Sequence, residues 1–360
     1  MKEASLGCHV QGASWPSIVG MPRSFAPSNL APSPASTHPY WHRGGDPQAL
    51  GAGVSLPIAL AHRGFARPVG VDTGLENSMQ AFAAAIALGC NYLETDVHGT
   101  ADGRAVALHD DSLDRTTDAS GVISQMPWSQ VRLAKIAGVE PVPLLEDILG
   151  TWPQVFLNID VKSASGITPV AHAIERTAAH QRVCVTSFSR SRRRATTALL
   201  SRPVATSAAS VEVAAFVLAV RSGQHQAARR AVADVDALQV PISQPLLAGR
   251  GLTVVDDRTV RAAHYLGKFV HVWTINDVPT MERLLGPEPR RDAALPEPGS
   301  EPELAQAAGT AHWPGRSGHE PDHGRHPAGL SQLSQGVDGI VTDRADLLKD
   351  LLQSRGQWVD

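Results

Sequence analysis

Two histidines and three carboxylates stand at the ends of short apolar runs, where strands would deliver them to one rim of a sheet. They are His62, Glu94, Asp96, His109 and Asp160. Glu94 and Asp96 are two positions apart, so on a strand their side chains face the same side and can converge on one cation. Carboxylates suit hard ions such as Mg²⁺ or Ca²⁺, and Asp160 is the natural third ligand. A salt-bridged strand end is the alternative for these carboxylates.

The two histidines predict acid and base chemistry near neutral pH. His62 and His109 have the titration range for taking a proton from an attacking hydroxyl and giving one to a leaving alcohol. Arg63 and Lys162 add positive charge at the same rim. Cations, a metal and two imidazoles around one pocket indicate a site for a phosphate ester.

Alternating strands and helices must position these residues, and the chain has that rhythm from Leu56 onward. Helical patterns separate most of nine strand candidates, which is typical of a parallel α/β fold. The strand candidates are Ile58–Ala61, Asn91–Val97, Ala105–Leu108, Val155–Val161, Val183–Thr186, Val204–Ser207, Ala237–Val240, Phe269–Ile275 and Gly339–Thr342.

A (β/α)₈ TIM barrel is the favoured architecture, although it wants eight strands rather than nine. The link from Val97 to Ala105 is too short for a parallel crossover, so one of that pair is expected to form a hairpin or an irregular strand. An open doubly wound sheet is the alternative. No Gly-x-Gly-x-x-Gly follows a strand candidate, which weakens a dinucleotide-binding version.

Composition excludes several function classes. The 32 Lys and Arg against 35 Asp and Glu give no basic surplus for nucleic acid. The most apolar stretch is too short to span a bilayer and carries Glu212. Three widely spaced cysteines indicate no disulfide framework, so we expect a cytoplasmic protein. Nothing predicts its oligomeric state.

Two segments interrupt the rhythm. Residues 1–56, rich in Pro, Ser, Gly and His, are expected to be a disordered or loosely packed extension. Residues 287–335 are expected to be a disordered insertion within a barrel domain of residues 57–353, with 354–360 as a tail. The insertion's histidines could bind a transition metal, but a solvated His-rich tract is the preferred interpretation. These residues are His312, His319, Asp322, His323 and His326.

An ordered run of motifs resembles the glycerophosphodiester phosphodiesterases, a family with a TIM-barrel fold. The resemblance covers about Pro57 to Glu282 and resumes from Gly336 to Leu351. Its pieces are Ala61-His62-Arg63-Gly64, Glu76-Asn77-Ser78, Glu94-Thr95-Asp96-Val97-His98, Thr100-Ala101-Asp102-Gly103, Leu108-His109-Asp110, Leu113-Asp114-Arg115-Thr116-Thr117, Asn158-Ile159-Asp160-Val161-Lys162, Ser187-Phe188, Val272-Trp273-Thr274-Ile275-Asn276 and Val337 to Asp343.

The resemblance implies metal-dependent hydrolysis of glycerophosphodiesters to glycerol 3-phosphate and an alcohol. It implies that His62 and His109 are acid and base, that Glu94, Asp96 and Asp160 hold the metal, and that Arg63 and Lys162 contact phosphate. Glu76, near the metal, and Trp273 complete the candidate set. The attacking group is either water or the neighbouring glycerol hydroxyl.

Two departures from the family pattern stand out. The third carboxylate is commonly Glu in the family and is Asp160 here, and family members usually need only a few residues in place of the insertion before Gly336. If the insertion is not extruded, the barrel could be left open at that edge. Two other functions stay open: a related barrel phosphodiesterase acting on phospholipids, such as a lysophospholipase D or a sphingomyelinase-D-like enzyme, and a non-catalytic binding protein.

Overall fold

A computed structural model describes residues 31–42, 57–245, 251–288 and 332–358. The strands are β1 (Ile58–Ala61), β2 (Tyr92–Gly99), β3 (Ala105–Ala107), β4 (Lys135–Ile136), β5 (Glu140–Pro141), β6 (Phe156–Val161), β7 (Val183–Thr186), β8 (Ala205–Thr206), β9 (Ala237–Val240), β10 (Ser243–Pro245), β11 (Gly251–Thr253), β12 (Phe269–Val272) and β13 (Gly339–Thr342). The helices are α1 (Met79–Ala87), α2 (Trp128–Val131), α3 (Leu145–Thr151), α4 (Ile167–Arg176), α5 (Arg190–Thr197), α6 (Ser210–Arg221), α7 (His225–Ala231), α8 (Asp257–Tyr265), α9 (Val278–Leu285) and α10 (Ala345–Ser354).

Eight of these described strands form a nearly closed parallel barrel in the order β8-β7-β6-β2-β1-β13-β12-β9. A parallel bridge between Ser207 and Ala237 links the two ends of that order. The barrel confirms the favoured fold over the open doubly wound sheet. It also places β13 between β1 and β12, so the residues before Gly336 do not open the barrel at that edge.

The strand candidate that exceeds the eight of a barrel, Ala105–Leu108, forms a hairpin with β2. β3 pairs antiparallel with the end of β2, through Val97 with Ala107 and Gly99 with Ala105. The turn at Thr100 to Gly103 makes this possible, because Thr100 Oγ1 donates to Asp102 Oδ1 and Gly103 adopts a φ of 78°. The short link therefore produces the expected hairpin.

Helix α1 begins and ends where the sequence indicates. Ser78 caps it, with its hydroxyl accepting from the backbone N–H of Ala81 at 3.1 Å. Gly89 follows its end with a φ of 98°. At the other side of the loop, Gly64 has a φ of 83°, and a Cβ there would lie 2.7 Å from the Ala81 backbone. Glycine at position 64 therefore lets the residues after β1 lie directly against α1.

The described part of the N-terminal segment, residues 31–42, includes a packed turn, while the rest of residues 1–56 lies outside the described residues. Residues 39–42 form a 3₁₀ turn, and Tyr40 and Trp41 are buried at one end of the barrel. The Trp41 ring stacks on Phe269, with centroids 4.8 Å apart, and the Tyr40 ring meets Tyr92 edge-on. This aromatic packing shields the side chains of residues 40 and 41 from solvent.

Two other predicted segments are described in part. The histidine-rich tract of residues 287–335 lies almost wholly outside the described residues, and Leu333 near its end is buried against the core. In the C-terminal tail, Arg355 is buried and donates to the Gly286 carbonyl at 3.0 Å. No helix in the described ranges is long and apolar enough to cross a membrane.

Candidate active site

The three predicted carboxylates meet at the carboxyl-terminal rim of the barrel. Glu94 and Asp96 are on β2, and Asp160 is on β6, directly opposite Asp96 in the strand register. All three residues are buried, with 6%, 2% and 5% of their surface exposed. Asn77, whose φ is 60°, holds Asp96 by donating from Nδ2 to Oδ2 at 3.1 Å. Strand geometry thus concentrates negative charge at one place.

Two cations neutralise part of that charge. Lys162 Nζ lies 2.9 Å from Asp96 Oδ1 and 3.1 Å from Asp160 Oδ2. Arg63 Nε lies 3.0 Å from Asp96 Oδ2, and the Arg63 backbone N–H donates to Glu94. Burial alone would raise the pKa of Asp96, but Lys162 and Arg63 outweigh it and lower that pKa to about 2. Asp96 is therefore ionised.

The other two carboxylates are less well compensated. Burial, followed by the nearby charge of Asp96, raises the pKa of Glu94 to about 7. Burial also raises the pKa of Asp160, and its Oδ1 atom is buried with no hydrogen-bond partner. A buried carboxylate oxygen without a partner is costly unless a cation or donor meets it.

The donor set therefore fits a hard divalent cation in its chemistry. Three carboxylates, one with an unpartnered oxygen, are the ligands that Mg²⁺ and Ca²⁺ prefer. The side chains are not gathered around such an ion: within the described ranges, no three His, Cys, Asp or Glu side chains are arranged to hold a metal. The ammonium of Lys162 instead lies between Asp96 and Asp160.

His62 is oriented by an aspartate from the far end of the chain. Its Nδ1 lies 2.6 Å from Asp343 Oδ1, which follows β13, and Nε2 lies 3.9 Å from Glu94 Oε2. Asn276 Nδ2 donates to Asp343 Oδ2 at 2.8 Å. Burial lowers the pKa of His62, but the hydrogen bond that His62 donates to Asp343 and the charge of Glu94 outweigh it, so the pKa is raised. Because an ionised carboxylate only accepts, Nδ1 carries the proton and Nε2 faces the site.

His109 has a similar arrangement built from local sequence. Its Nδ1 lies 2.6 Å from Asp110 Oδ1, and Arg115 Nε donates to Asp110 Oδ2 at 2.6 Å. The Arg115 hydrogen bond, acting against slight burial, helps to lower the pKa of Asp110 to about 2. The buried His98 supports this loop, because its Nε2 donates to the His109 carbonyl at 3.1 Å. Each histidine thus has its own carboxylate.

One cavity of about 430 Å³ brings most of the predicted residues together. The predicted residues that line it are His62, Arg63, Glu94, Asp96, His109, Asp160, Lys162 and Trp273. Glu76 lies beside the cavity. Its Oε2 accepts from Arg63 Nη1 at 3.2 Å, and its Oε1 accepts from Arg115 Nη2 at 2.6 Å. Glu76 therefore links the two arginines and fixes the position of the Arg63 guanidinium.

Several residues that position the site have no predicted role. Asp343, Asn276, Asp110, Arg115 and Asn77 all sit inside motifs of the resemblance, and each contacts a predicted site residue or its partner. Their position within a dense motif was therefore the sequence signal that could have identified them as site residues. The pairings themselves required the structure.

The chain is similar to known phosphodiesterases in sequence and in fold. Residues 62–288 match the model of the glycerophosphoryl diester phosphodiesterase family. The "Probable glycerophosphodiester phosphodiesterase 2" of Mycobacterium tuberculosis is 35% identical over 304 residues, which cover 84% of this chain and 92% of that protein. The fold is similar to crystal structures of glycerophosphodiester phosphodiesterases from Agrobacterium tumefaciens and Thermotoga maritima. The TM-scores are 0.54 and 0.51 at 18% identity each, covering 83% and 82% of this chain and 100% and 98% of those chains.

Proposed function

The chain belongs to the glycerophosphoryl diester phosphodiesterase family and is a phosphodiesterase, and from that premise we propose its reaction in detail. It hydrolyses a glycerophosphodiester to glycerol 3-phosphate and an alcohol, with His62 and His109 as the acid and base pair. The observation that carries this proposal is that two imidazoles, each bonded to its own carboxylate at 2.6 Å, line one cavity with three carboxylates and two cations.

The orientation of the two imidazoles supports a proton transfer by each of them. One histidine accepts a proton from the attacking oxygen as the new phosphorus–oxygen bond forms. If that oxygen is water, glycerol 3-phosphate is released directly; if it is the neighbouring glycerol hydroxyl, a cyclic glycerol phosphate forms, and water then opens the ring to give glycerol 3-phosphate. The other donates a proton to the alcohol oxygen as the old phosphorus–oxygen bond breaks. Asp343 and Asp110 keep each Nδ1 protonated, so each Nε2 is free for this transfer. Which histidine is the acid depends on the orientation of the substrate.

Arg63 and Lys162 are the proposed phosphate contacts. Burial opposes the charge of Lys162, but Asp96 and Asp160 outweigh it and raise the Lys162 pKa, so the ammonium stays protonated at neutral pH. Arg63, steadied by Glu76, presents a guanidinium at the same place. Fixed cations of this kind stabilise the charge that develops on phosphoryl oxygens.

The family generally uses a divalent metal, and Glu94, Asp96 and Asp160 are the proposed ligands for Mg²⁺ or Ca²⁺ here. When bound, such an ion would polarise the phosphoryl group. The unpartnered oxygen of Asp160 and the raised pKa of Glu94 support a cation at this position. The free buried thiols of Cys90 and Cys184 support action in the reducing cytoplasm.

Release of glycerol 3-phosphate from glycerophosphocholine tests the reaction. We expect release with Mg²⁺ or Ca²⁺, loss with EDTA, and a fall of at least about 100-fold in His62→Ala and His109→Ala. His172→Ala is the matched control, because His172 is exposed on α4 and lies away from the cavity. Release that persists in either site variant would contradict the assigned acid and base.

Metal binding needs a separate readout. Calorimetric titration of the purified protein with Mg²⁺ and with Ca²⁺ should give one site, and Asp160→Asn should weaken it by about 10-fold or more. Asp147→Asn, on α3 away from the site, should leave it unchanged. Equal affinity in wild type and Asp160→Asn would remove Asp160 from the ligand set.

A further inference from the structure

The backbone carbonyl of Val161 lies where the parallel ladder between β6 and β7 stops. The last paired residues of that ladder are Asp160 and Thr186. Val161 is buried, and a buried carbonyl oxygen needs a hydrogen-bond donor. Side chains therefore have to supply donors beyond the end of the ladder.

Two side chains donate to this carbonyl. Ser187 Oγ donates to the Val161 oxygen at 2.8 Å, and Arg192 Nη1, from α5, donates to the same oxygen at 2.9 Å. Arg192 Nη1 also donates to Ser187 Oγ at 3.1 Å, which closes a triangle of hydrogen bonds. Ser187 is buried and Arg192 is half-buried. The guanidinium thus fixes both the carbonyl and the hydroxyl that donates to it.

The N–H of the same peptide group is fixed from the other side. The Lys162 N–H donates to the carbonyl of Val97, on β2, at 3.1 Å. The Val161–Lys162 peptide is therefore held by β2 at its N–H and by Ser187 and Arg192 at its carbonyl. Because the peptide group is planar, fixing both of its polar groups limits the direction in which the Lys162 side chain leaves the backbone.

The ammonium of Lys162 meets the residue that follows Ser187. Its Nζ lies 5.7 Å from the centroid of the Phe188 ring, a distance at which a cation is attracted to an aromatic face. The Phe188 ring in turn packs edge-on against Trp273, with centroids 5.8 Å apart. Since Arg192 holds the Ser187 hydroxyl, it also steadies the segment that carries this ring. Both ends of the Lys162 side chain thus depend on contacts that Arg192 makes or supports.

The contacts of Arg192 differ from those of the other arginines of α5. Each of those three pairs with a carboxylate. The pairs are Arg190 and Arg193 with Glu212, and Arg194 with Asp234. Within the described ranges, the guanidinium of Arg192 instead contacts a carbonyl and a hydroxyl oxygen. Its charge acts at the candidate site: burial raises the pKa of Asp160, and Lys162 and Arg192 are among the cations that oppose this rise.

We propose that Arg192 is a positioning residue for Lys162, acting through the Val161 carbonyl and Ser187. This inference rests on the proposed function, in which the Lys162 ammonium contacts the phosphate. Arg192 is not among the described residues that line the cavity, so it acts on the reaction only through the residues that it holds. Loss of its guanidinium should leave Lys162 present but poorly placed.

A double-mutant cycle tests this role. Arg192→Met keeps an apolar stem and removes both hydrogen bonds, so kcat/KM for glycerophosphocholine should fall at least about 10-fold. In a Lys162→Met background the same substitution should change kcat/KM by less than about twofold, because no ammonium is left to position. Equal losses in the two backgrounds would mean that Arg192 acts independently of Lys162, which would overturn the proposal.

A binding cycle distinguishes the failure of this inference from the failure of the proposed function. Calorimetry with glycerol 3-phosphate should show that Arg192→Met weakens binding at least about fivefold when Lys162 is present and less than about twofold when it is not. This coupling without any diester hydrolysis would keep the positioning role and refute the proposed function. Hydrolysis by the wild type with equal losses in both backgrounds would do the reverse. Neither hydrolysis nor binding by the wild type would refute both.

Two further variants control for folding. Arg194→Met is the matched control, because Arg194 is an exposed arginine of the same helix that pairs with Asp234, and it should keep kcat/KM within about twofold. If circular dichroism shows that Arg192→Met is unfolded, Arg192→Gln replaces it in both cycles, since glutamine keeps a shorter donor and loses the charge. Its smaller loss of kcat/KM should again vanish in the Lys162→Met background. A wild-type rate in Arg192→Gln, or a loss that persists without Lys162, would overturn the proposal.

Discussion

Replacing Asp343 with asparagine should show how far the reaction rate depends on the orientation of His62, because the imidazole itself is kept. Asp343 accepts two hydrogen bonds, at Oδ1 from His62 Nδ1 (2.6 Å) and at Oδ2 from Asn276 Nδ2 (2.8 Å). An amide of the same shape has one oxygen and one NH₂ group, so it can accept only one of these bonds. The variant therefore either leaves a donor facing a donor, at His62 or Asn276, or moves the His62 proton from Nδ1 to Nε2.

The size of the effect follows from what His62 loses. Loss of a group that orients a catalytic or ligating imidazole typically costs about 10- to 100-fold, or roughly 1.4–2.7 kcal/mol. The charge also matters: burial lowers the His62 pKa, and Asp343 with Glu94 outweighs it. Without the Asp343 charge, the pKa of His62 falls. The limb of the pH profile of kcat/KM that reports His62 should therefore move to lower pH, whether His62 is acid or base.

The assay is glycerol 3-phosphate release across the pH range for wild type and Asp343→Asn. The matched control is Asp346→Asn, three residues further along the chain, whose carboxylate pairs with Arg344. The control should keep the wild-type rate and profile. A rate within twofold of wild type in Asp343→Asn, with both limbs unmoved, would refute the role of Asp343 in orienting His62.

Three further outcomes concern the frame of the barrel. Trp41→Ala should lower the free energy of unfolding by about 3–5 kcal/mol, because it removes a buried ring stacked on Phe269; a denaturant titration measures this, and a loss below about 1 kcal/mol would contradict the packing. Burial lowers the pKa of His271 to about 4. As the pH falls below 6.5, His271 therefore binds a proton in the unfolded chain but stays neutral in the folded chain, which lowers the free energy of unfolding. Wild type should then lose about 3 kcal/mol between pH 6.5 and pH 4 relative to His271→Leu, and parallel stability curves would argue against a buried neutral imidazole. Gly64→Ala should lower the melting temperature and kcat/KM together, since its Cβ would lie 2.7 Å from the Ala81 backbone; an unchanged rate would show that the loop adjusts freely.

Much of the barrel could be predicted because its strands are short apolar runs bounded by turn residues. β1, β7, β9 and β13 have the predicted bounds. The number of barrel strands also followed, because the link to Ala105 is too short for a crossover and forces an antiparallel hairpin. Such local rules are strong wherever chain length alone limits the connections.

The packing of residues 39–42 was not predictable by the same rules. The surrounding sequence is rich in Pro and Ser and has no sustained apolar period, so composition favours an extension. Yet the adjacent rings of Tyr40 and Trp41 fill the end of the barrel against Tyr92 and Phe269. Two neighbouring aromatics need no period to bury a large area, because each can bury about 150–250 Å².

Residues of the candidate site were predictable as a set but not as pairs. The carboxyl ends of parallel strands meet at one rim, so strand-end His, Asp and Glu residues come together whatever their distance in sequence. The partner of each residue depends on loop geometry that no spacing reveals. Asp343 lies 281 positions from His62 and still makes its shortest contact. Asp110, the equivalent partner of His109, is the next residue in the chain.

The polar candidates and the apolar lining of the cavity differ in how far the sequence reveals them. Polar residues at a strand end are conspicuous, since burying them is costly without a function or a partner. Val213, Val240 and Leu252 are ordinary apolar residues, and helix or strand periodicity would assign them to the core. Only the cavity shows that they face the same space as His62 and Asp160. The residues proposed to carry the reaction therefore stand out in the sequence, whereas the apolar residues that line the same cavity do not.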